Sequence, residues 1–250
     1  DSVSVLLKAL DDAEEWVRFS AVEGLGLSGD PGALGPLLAI IERGSGLIVE
    51  AAIEAVGKIA SSKDSVMVLE KIEGLIKSGH LFNISAVVEL LEKAQVPGSN
   101  FRPSQGFKES YFNFLSNNLD DGEKSVQIKA LKGLGLLKLP EGLERVFEFS
   151  ESLKELDEAT ESLIVDSIVS ITGSGPLPEI LKAELKKRGR NFRPVVKALS
   201  EIKSGEAVPL LEEIIDGVSQ HEQRDVVYAI ASIGSPASAG VIKKCLESAD

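Results

Sequence analysis

The residues that could do chemistry in this 250-residue chain are few and far apart. It has one cysteine, Cys245, and two histidines, His80 and His221. A protein metal site needs three or four ligands close together, and a nucleophilic cysteine needs a neighbouring base. Because no matching ligand set lies beside any of these residues, the sequence predicts no metal, no cofactor and no catalytic residue. We expect a protein without enzymatic activity.

Glycines and acidic pairs also fall outside the common catalytic patterns. Gly24 and Gly26 lie inside an amphipathic helical pattern instead of following a strand, so they do not form a dinucleotide-binding turn. Acidic pairs such as Asp11 and Asp12 precede helical segments, where they suit the positive end of a helix dipole. These residues therefore indicate helix boundaries.

Composition and charge exclude several classes of protein. Hydrophobic residues make up 43% of the chain, enough for a sizeable core, and the aromatic content of 5% favours close-packed helices over a β-sandwich. The net charge of -12 argues against nucleic acid as the main partner, and no apolar run approaches the roughly 18 residues of a membrane span. The single cysteine suits a reducing compartment, so we expect a cytoplasmic location.

The elements that must position any functional residue form a repeat. Seven times the sequence shows a small or β-branched anchor residue, an apolar residue, two variable positions and another apolar residue, usually followed by Gly or Ser. The anchors are Ala21, Ala52, Ala86, Ala130, Ser167, Val195 and Ala229. Successive anchors are 31, 34, 44, 37, 28 and 34 residues apart, and a second amphipathic segment lies in most intervals. The repeating unit is therefore a helix, a turn and a helix.

Neither helix of such a unit can bury its apolar stripe alone, so neighbouring units must stack. The sequence predicts an all-α, right-handed α-solenoid of about seven helical hairpins, with an additional terminal helix over residues 236–246. We expect one array over residues 1–250, interrupted by an irregular insertion near residues 96–106. Because the chain starts without methionine, we expect a fragment of a longer protein.

Residues 17–31, VRFSAVEGLGLSGDP, resemble the HEAT repeat, in the short variety found in phycobilisome-lyase-like proteins. Later units keep the pattern of alanine, apolar residues and glycine. The resemblance implies a ladder between neighbouring units, with Arg18 and Asp30 at its Arg and Asp positions. It also implies a scaffold or adaptor that presents a concave helical surface to a partner protein or peptide. The alternative from the same resemblance is a lyase-like subunit that holds a chromophore or cofactor, although the pattern around Cys245 predicts a buried thiol.

Two positions on each repeated helix, the second before and the second after the anchor, are predicted to face away from the companion helix. These pairs are Phe19 and Glu23, Glu50 and Glu54, Ile84 and Val88, Ile128 and Lys132, Val165 and Val169, Arg193 and Lys197, and Val227 and Ala231. The predicted groove is acidic in the first two units, apolar in the next three and basic in the sixth. An open apolar stretch would take an extended partner segment or a homodimer contact. In the other interpretation the helical register differs by one residue, and the core includes Ile84, Val88, Ile128, Val165 and Val169.

Two further segments are candidate partner contacts. Residues 182–197, from Lys182 to Lys197, carry seven basic residues against one acidic residue, and such a basic island could bind an acidic or phosphorylated partner. The alternative is that some of these cations stabilise helix C-termini. Phe101 and Phe107, in and after the insertion, are candidate loop contacts because they are harder to bury than their neighbours.

Overall fold

A computed structural model describes residues 2–78, 83–96 and 101–234, and over these ranges the chain forms fourteen α-helices and no strand. The helices are α1 Ser2–Ala9, α2 Glu15–Ser28, α3 Leu34–Arg43, α4 Leu47–Ile59, α5 Ser62–Lys77, α6 Ile84–Ala94, α7 Gln105–Asn118, α8 Lys124–Leu137, α9 Glu141–Ser152, α10 Glu158–Thr172, α11 Glu179–Lys187, α12 Phe192–Ile202, α13 Val208–Ile214 and α14 Gln220–Ile233. Three short 3₁₀ turns lie at Pro31–Ala33, Gly205–Ala207 and Ile215–Gly217. The predicted terminal helix over 236–246 lies outside the described residues.

Consecutive helices pair into the seven predicted hairpins, from α1 with α2 to α13 with α14, and in the fourth hairpin Leu115 of α7 packs against Gly133 of α8. All seven anchor residues lie on the second helix of a hairpin, and all are buried. Second helices also pack on one another in series, as α2 does on α4 and α12 does on α14. The prediction of an all-α solenoid fold is confirmed, while its right-handed superhelix stays a prediction.

The chain divides into two compact units, residues 1–133 and 134–250, with the boundary inside α8. The first unit contains α1 to α7 and most of α8, and the second contains the end of α8 and α9 to α14. The organisation as one array over residues 1–250 stays a prediction.

Second helices approach one another closely where a residue has no side chain. A Cβ atom at Gly26 would lie 2.9 Å from both Cα and Cβ of Ala55, so α2 and α4 meet almost backbone to backbone. At Gly57 the nearest atom would be Cβ of Ala86, at 3.3 Å. The glycine that closes the repeated pattern is therefore a contact between neighbouring hairpins.

Cationic side chains close helix ends in neighbouring hairpins. Lys93 of α6 donates through Nζ to the carbonyl oxygens of Gly57, at 2.6 Å, and Lys58, at 3.2 Å, near the end of α4. The last carbonyl groups of a helix have no partner within it and favour positive charge. Lys93 therefore joins the third hairpin to the second.

The predicted open apolar groove is wrong at three of its positions. Ile84, Val88 and Val165 are buried, while Ile128 and Val169 are half-buried. A second helix packs against its companion and against second helices on either side, so its buried arc is wider than one stripe. For these three residues the alternative interpretation as core is correct.

Phe107 is also buried, so its prediction as a loop contact is wrong. Helix α7 begins at Gln105, and Ser104 caps it by accepting a hydrogen bond from the Phe107 amide at 3.1 Å. The Phe107 ring stacks on that of Tyr111, with centroids 4.1 Å apart, and the half-buried ring of Phe101 meets it edge-on. Of the predicted insertion, residues 97–100 lie outside the described residues.

Tyr111 is buried in the first unit, and its hydroxyl donates to the carbonyl oxygen of Leu69 at 2.7 Å. Burial, followed by the charge of Glu73, raises the pKa of Tyr111 well above its ordinary value of 10.0. A group whose pKa is raised by folding stabilises the protein fully below its unfolded pKa, and this contribution is lost as the pH rises through the folded pKa. The contribution of Tyr111 is therefore complete below pH 10.0 and is lost above it.

We expect Tyr111 to ionise only as the first unit unfolds, in an alkaline titration followed by tyrosinate absorbance and circular dichroism. Tyr111→Phe should remove the absorbance step that accompanies unfolding and cost about 1 kcal/mol, because one hydrogen bond is lost. Ionisation of Tyr111 at unchanged ellipticity would contradict this assignment.

Candidate functional site

An open groove of about 310 Å³ lies between α2 and α4 in the first unit. Its floor is formed by small residues, Gly26, Ala51 and Ala55. Its walls carry larger side chains, namely Phe19, Glu23 and Leu27 from α2 and Leu47, Glu50, Glu54 and Lys58 from α4, with Asn83 at one end. We call this set the acidic groove. It brings together four residues predicted from the sequence, Phe19, Glu23, Glu50 and Glu54.

The groove exists because two helices that touch through small residues carry larger residues on either side of the contact. The repeat pattern puts Gly26 and Ala55 where α2 and α4 meet, and the next outward positions hold the wall residues. Leu27 and Leu47 are 79% and 70% exposed, which is unusual for two leucines that line the same groove. The groove therefore has an apolar lining that is open to solvent.

The acidic residues of the groove differ in their partners. Glu54 accepts hydrogen bonds from Lys58 Nζ at 2.7 Å and from Asn83 Nδ2 at 3.2 Å. Glu23 and Glu50 have no ion pair or side-chain hydrogen bond within the described ranges. Their carboxylates are therefore available to a bound partner.

A second cavity, of about 480 Å³, continues from the acidic groove because Glu50 and Asn83 line both. It lies among the first turns of α6 and α8 and the end of α7, and it is mostly polar. Asp121 and Glu123 add two further carboxylates, against one cation, Lys129. Negative charge thus extends from the acidic groove into the second cavity of the same unit.

The basic island over residues 182–197 is largely paired within the chain. Six of its seven cations have partners: Lys182 with Glu179, Lys187 with Glu151 and Glu184, Arg188 with the Gly217 carbonyl, Arg190 with the carbonyls of Ser150, Leu153 and Lys154, Arg193 with Glu161 and Asp225, and Lys197 with Glu161. The seventh cation of the island is Lys186. Most of the island therefore holds the fold together.

Arg193 and Lys197 belong to an ion cluster that spans three second helices of the second unit. The carboxylate of Glu161 on α10 is buried and lies 2.5 Å from Lys197 Nζ and 3.6 Å from Arg193 Nε, both on α12. Arg193 also pairs with Asp225 of α14 at 3.1 Å. A partner could reach these cations only by displacing carboxylates that are already in place.

Arg18 and Asp30 do not take the predicted roles in a ladder between neighbouring units, because the hydrogen bonds given for their side chains are local. Arg18 donates to the carbonyl oxygens of Asp12 and Ala13, at 2.9 and 3.0 Å, in the turn before its own helix. Asp30 accepts from the amide of Gly32 at 2.8 Å and caps the following 3₁₀ turn. Both side chains are used within their own segments, which is the physical reason for the difference. Lys132, another predicted contact, pairs with Glu92.

Sequence reasoning missed Leu27 and Leu47, the two most exposed apolar residues of the groove. Leu27 lies four residues after Glu23, and Leu47 lies three residues before Glu50, so each extends the predicted outward stripe by one helical turn. This spacing was the signal that could have found them.

Within residues 2–78, 83–96 and 101–234, no three His, Cys, Asp or Glu residues are placed to hold a metal ion. Cys245 and His80 lie outside the described residues. None of the described helices is long and apolar enough to cross a membrane.

Residues 3–78 match the family model of the HEAT repeats. The match runs from α1 to the end of α5, so it includes the two hairpins that form the acidic groove. Repeats of this family generally serve as scaffolds for protein interactions. The comparison with curated proteins returned no match.

Proposed function

We propose that the chain is a non-enzymatic scaffold or adaptor that binds a partner protein through the acidic groove. The observation that carries this proposal is that the exposed Leu27 and Leu47 lie beside Glu23 and Glu50, whose carboxylates have no partner among the described residues. Exposed leucines in one groove favour binding of a partner, because covering them removes apolar area from water. The single cysteine favours a reducing compartment such as the cytoplasm.

A protein suits this groove better than a small molecule does. At about 310 Å³ the groove is at the lower end of ligand cavities, and it is open along its length instead of enclosing a ligand. A chromophore-holding role, as in lyase-like relatives, would call for a deep pocket and a reactive thiol, and the groove lining contains no cysteine. The scaffold is therefore the proposal we develop.

Two other partner proposals have less support. An acidic or phosphorylated segment near Lys182 and Lys197 would meet cations that already have intramolecular partners. A homodimer through the apolar part of the predicted groove would need Ile84, Val88 and Val165 at the surface, and these residues are buried. The acidic groove is the predicted surface that is open and has exposed apolar groups.

Photo-crosslinking tests the proposal. We expect Leu27→p-benzoylphenylalanine to crosslink a discrete protein in extracts of the source cell, because the probe lies on the wall of the groove. The control is Glu70→p-benzoylphenylalanine, at an exposed position on α5, which should give no such product. The captured protein is then identified by mass spectrometry, and the purified pair should give the same crosslink. No product at Leu27, or equal products at both positions, would overturn the proposal.

A further inference from the structure

We propose that the segment bound in the acidic groove is basic and apolar, with a large apolar side chain flanked by Lys or Arg. This inference rests on the proposed function and adds the chemistry of the partner. It follows from the charge and the shape of the groove and of the cavity that continues it.

The charge of the groove selects a cationic segment. Glu23 is exposed and Glu50 is half-buried, and neither has an intramolecular cation within the described ranges, whereas Glu54 is already paired with Lys58. A Lys or Arg that reaches Glu50 would form a charge-assisted hydrogen bond partly shielded from water, where such bonds are stronger than at an open surface. An acidic or phosphorylated segment would instead be repelled.

The shape of the groove selects an apolar side chain between these cations. Gly26, Ala51 and Ala55 leave room above the floor, and Leu27 and Leu47 offer apolar contact on either wall. Covering both leucines removes apolar area from water, which a free metal ion or a simple polyamine could not do. The bound segment therefore carries both cationic and apolar side chains.

The second cavity extends the site in one direction. Glu50 and Asn83 line both spaces, so a segment that lies in the acidic groove and passes Glu50 continues towards Asp121 and Glu123. The lining there is polar, which suits a second Lys or Arg better than another apolar residue. The expected segment therefore has a cation on the side of its apolar residue that faces the second cavity.

Short synthetic peptides test this inference with the full chain. The probe is fluorescein-labelled GKRLKFKRG, compared by fluorescence anisotropy with GEELEFEEG and with GKRSKSKRG, at low and at physiological ionic strength. We expect the first peptide to bind, the second not to bind, and the third to bind at least about tenfold more weakly, because one buried apolar side chain is worth about 1.5–3 kcal/mol.

Matched charge variants locate the site. The double variant Glu23→Gln and Glu50→Gln should weaken binding of GKRLKFKRG about tenfold or more. The control double variant, Glu70→Gln and Glu155→Gln, changes the net charge equally but lies outside the groove, and it should change affinity less than about twofold. Glu23, Glu70 and Glu155 are exposed and Glu50 is half-buried without an intramolecular cation, so circular dichroism and melting temperature should stay unchanged.

Equal weakening by the two double variants would show diffuse attraction to an acidic protein and would overturn the inference. Equal binding of GKRSKSKRG and GKRLKFKRG would also overturn the inference. These failures are distinct from failure of the proposed function. A partner that crosslinks at Leu27 but is not displaced by GKRLKFKRG would leave the scaffold function standing and overturn only the basic, apolar assignment.

Discussion

Val88→Asp should strongly destabilise the first unit. The Val88 side chain is 1% exposed, and one of its methyl carbons would lie 3.2 Å from a Cβ atom at Gly133 of α8. An aspartate there has neither water nor a cation to satisfy its carboxylate, and such burial costs about 3–5 kcal/mol. Because small domains are stable by only about 5–15 kcal/mol, most of the margin is lost. Thermal and urea unfolding followed by circular dichroism would measure this loss.

Val169→Asp is the matched control, because it introduces the same charge on a second helix at a half-buried position. Its carboxylate retains contact with water, so we expect a loss of about 1 kcal/mol. The sequence-based assignment of Val88 to an open groove predicted the opposite result, namely that Val88→Asp leaves the stability unchanged. A Val88→Asp protein that melts at the wild-type temperature would restore that prediction.

Gly26→Ala should destabilise the first unit even though alanine is the better helix former. The new Cβ atom would lie 2.9 Å from the Cα and Cβ atoms of Ala55, so α2 and α4 must move apart. Overpacking of this kind costs about 1–3 kcal/mol, against a helix-propensity gain of about 1 kcal/mol. Urea unfolding would measure the difference.

Alanine substitutions at two other glycines give reference values for the change in stability. At Gly74, inside α5, an added Cβ atom meets nothing within 4 Å, so Gly74→Ala should stabilise the protein by about 0.5–1 kcal/mol. Gly57→Ala brings its Cβ atom to 3.3 Å from Ala86 and should fall between the two. If Gly26→Ala were as stabilising as Gly74→Ala, the close contact of α2 and α4 would not exist.

The repeat pattern was sufficient to predict the hairpins. All seven anchors are buried on second helices because burial against two neighbours demands a small or β-branched residue in the same place each time. The pattern did not predict how wide the buried arc is. Val88 and Phe107 are buried by helices distant in sequence, and a period of 3.6 residues does not show how many neighbours a helix has.

The candidate site was predicted in part. Glu23, Glu50, Glu54 and Phe19 follow from helical geometry alone, and they do line one groove. The role of the basic island did not follow from sequence, because a run of cations looks the same whether it faces solvent or helix ends. Only the fold shows that Arg190 lies over the last carbonyl groups of α9.

The cations that close helix ends in neighbouring hairpins also restrict how this chain can evolve. Lys93 donates a hydrogen bond to a carbonyl oxygen near the end of α4, and Arg190 does so at the end of α9. Arg188 donates to the carbonyl oxygen of Gly217 after α13. Each bond has its donor in one hairpin and its acceptor in another. Duplicating, deleting or shuffling a hairpin by recombination would separate donor from acceptor at a joint. The hairpins are alike in fold but not interchangeable, because the hydrogen bonds between them depend on their order along the chain.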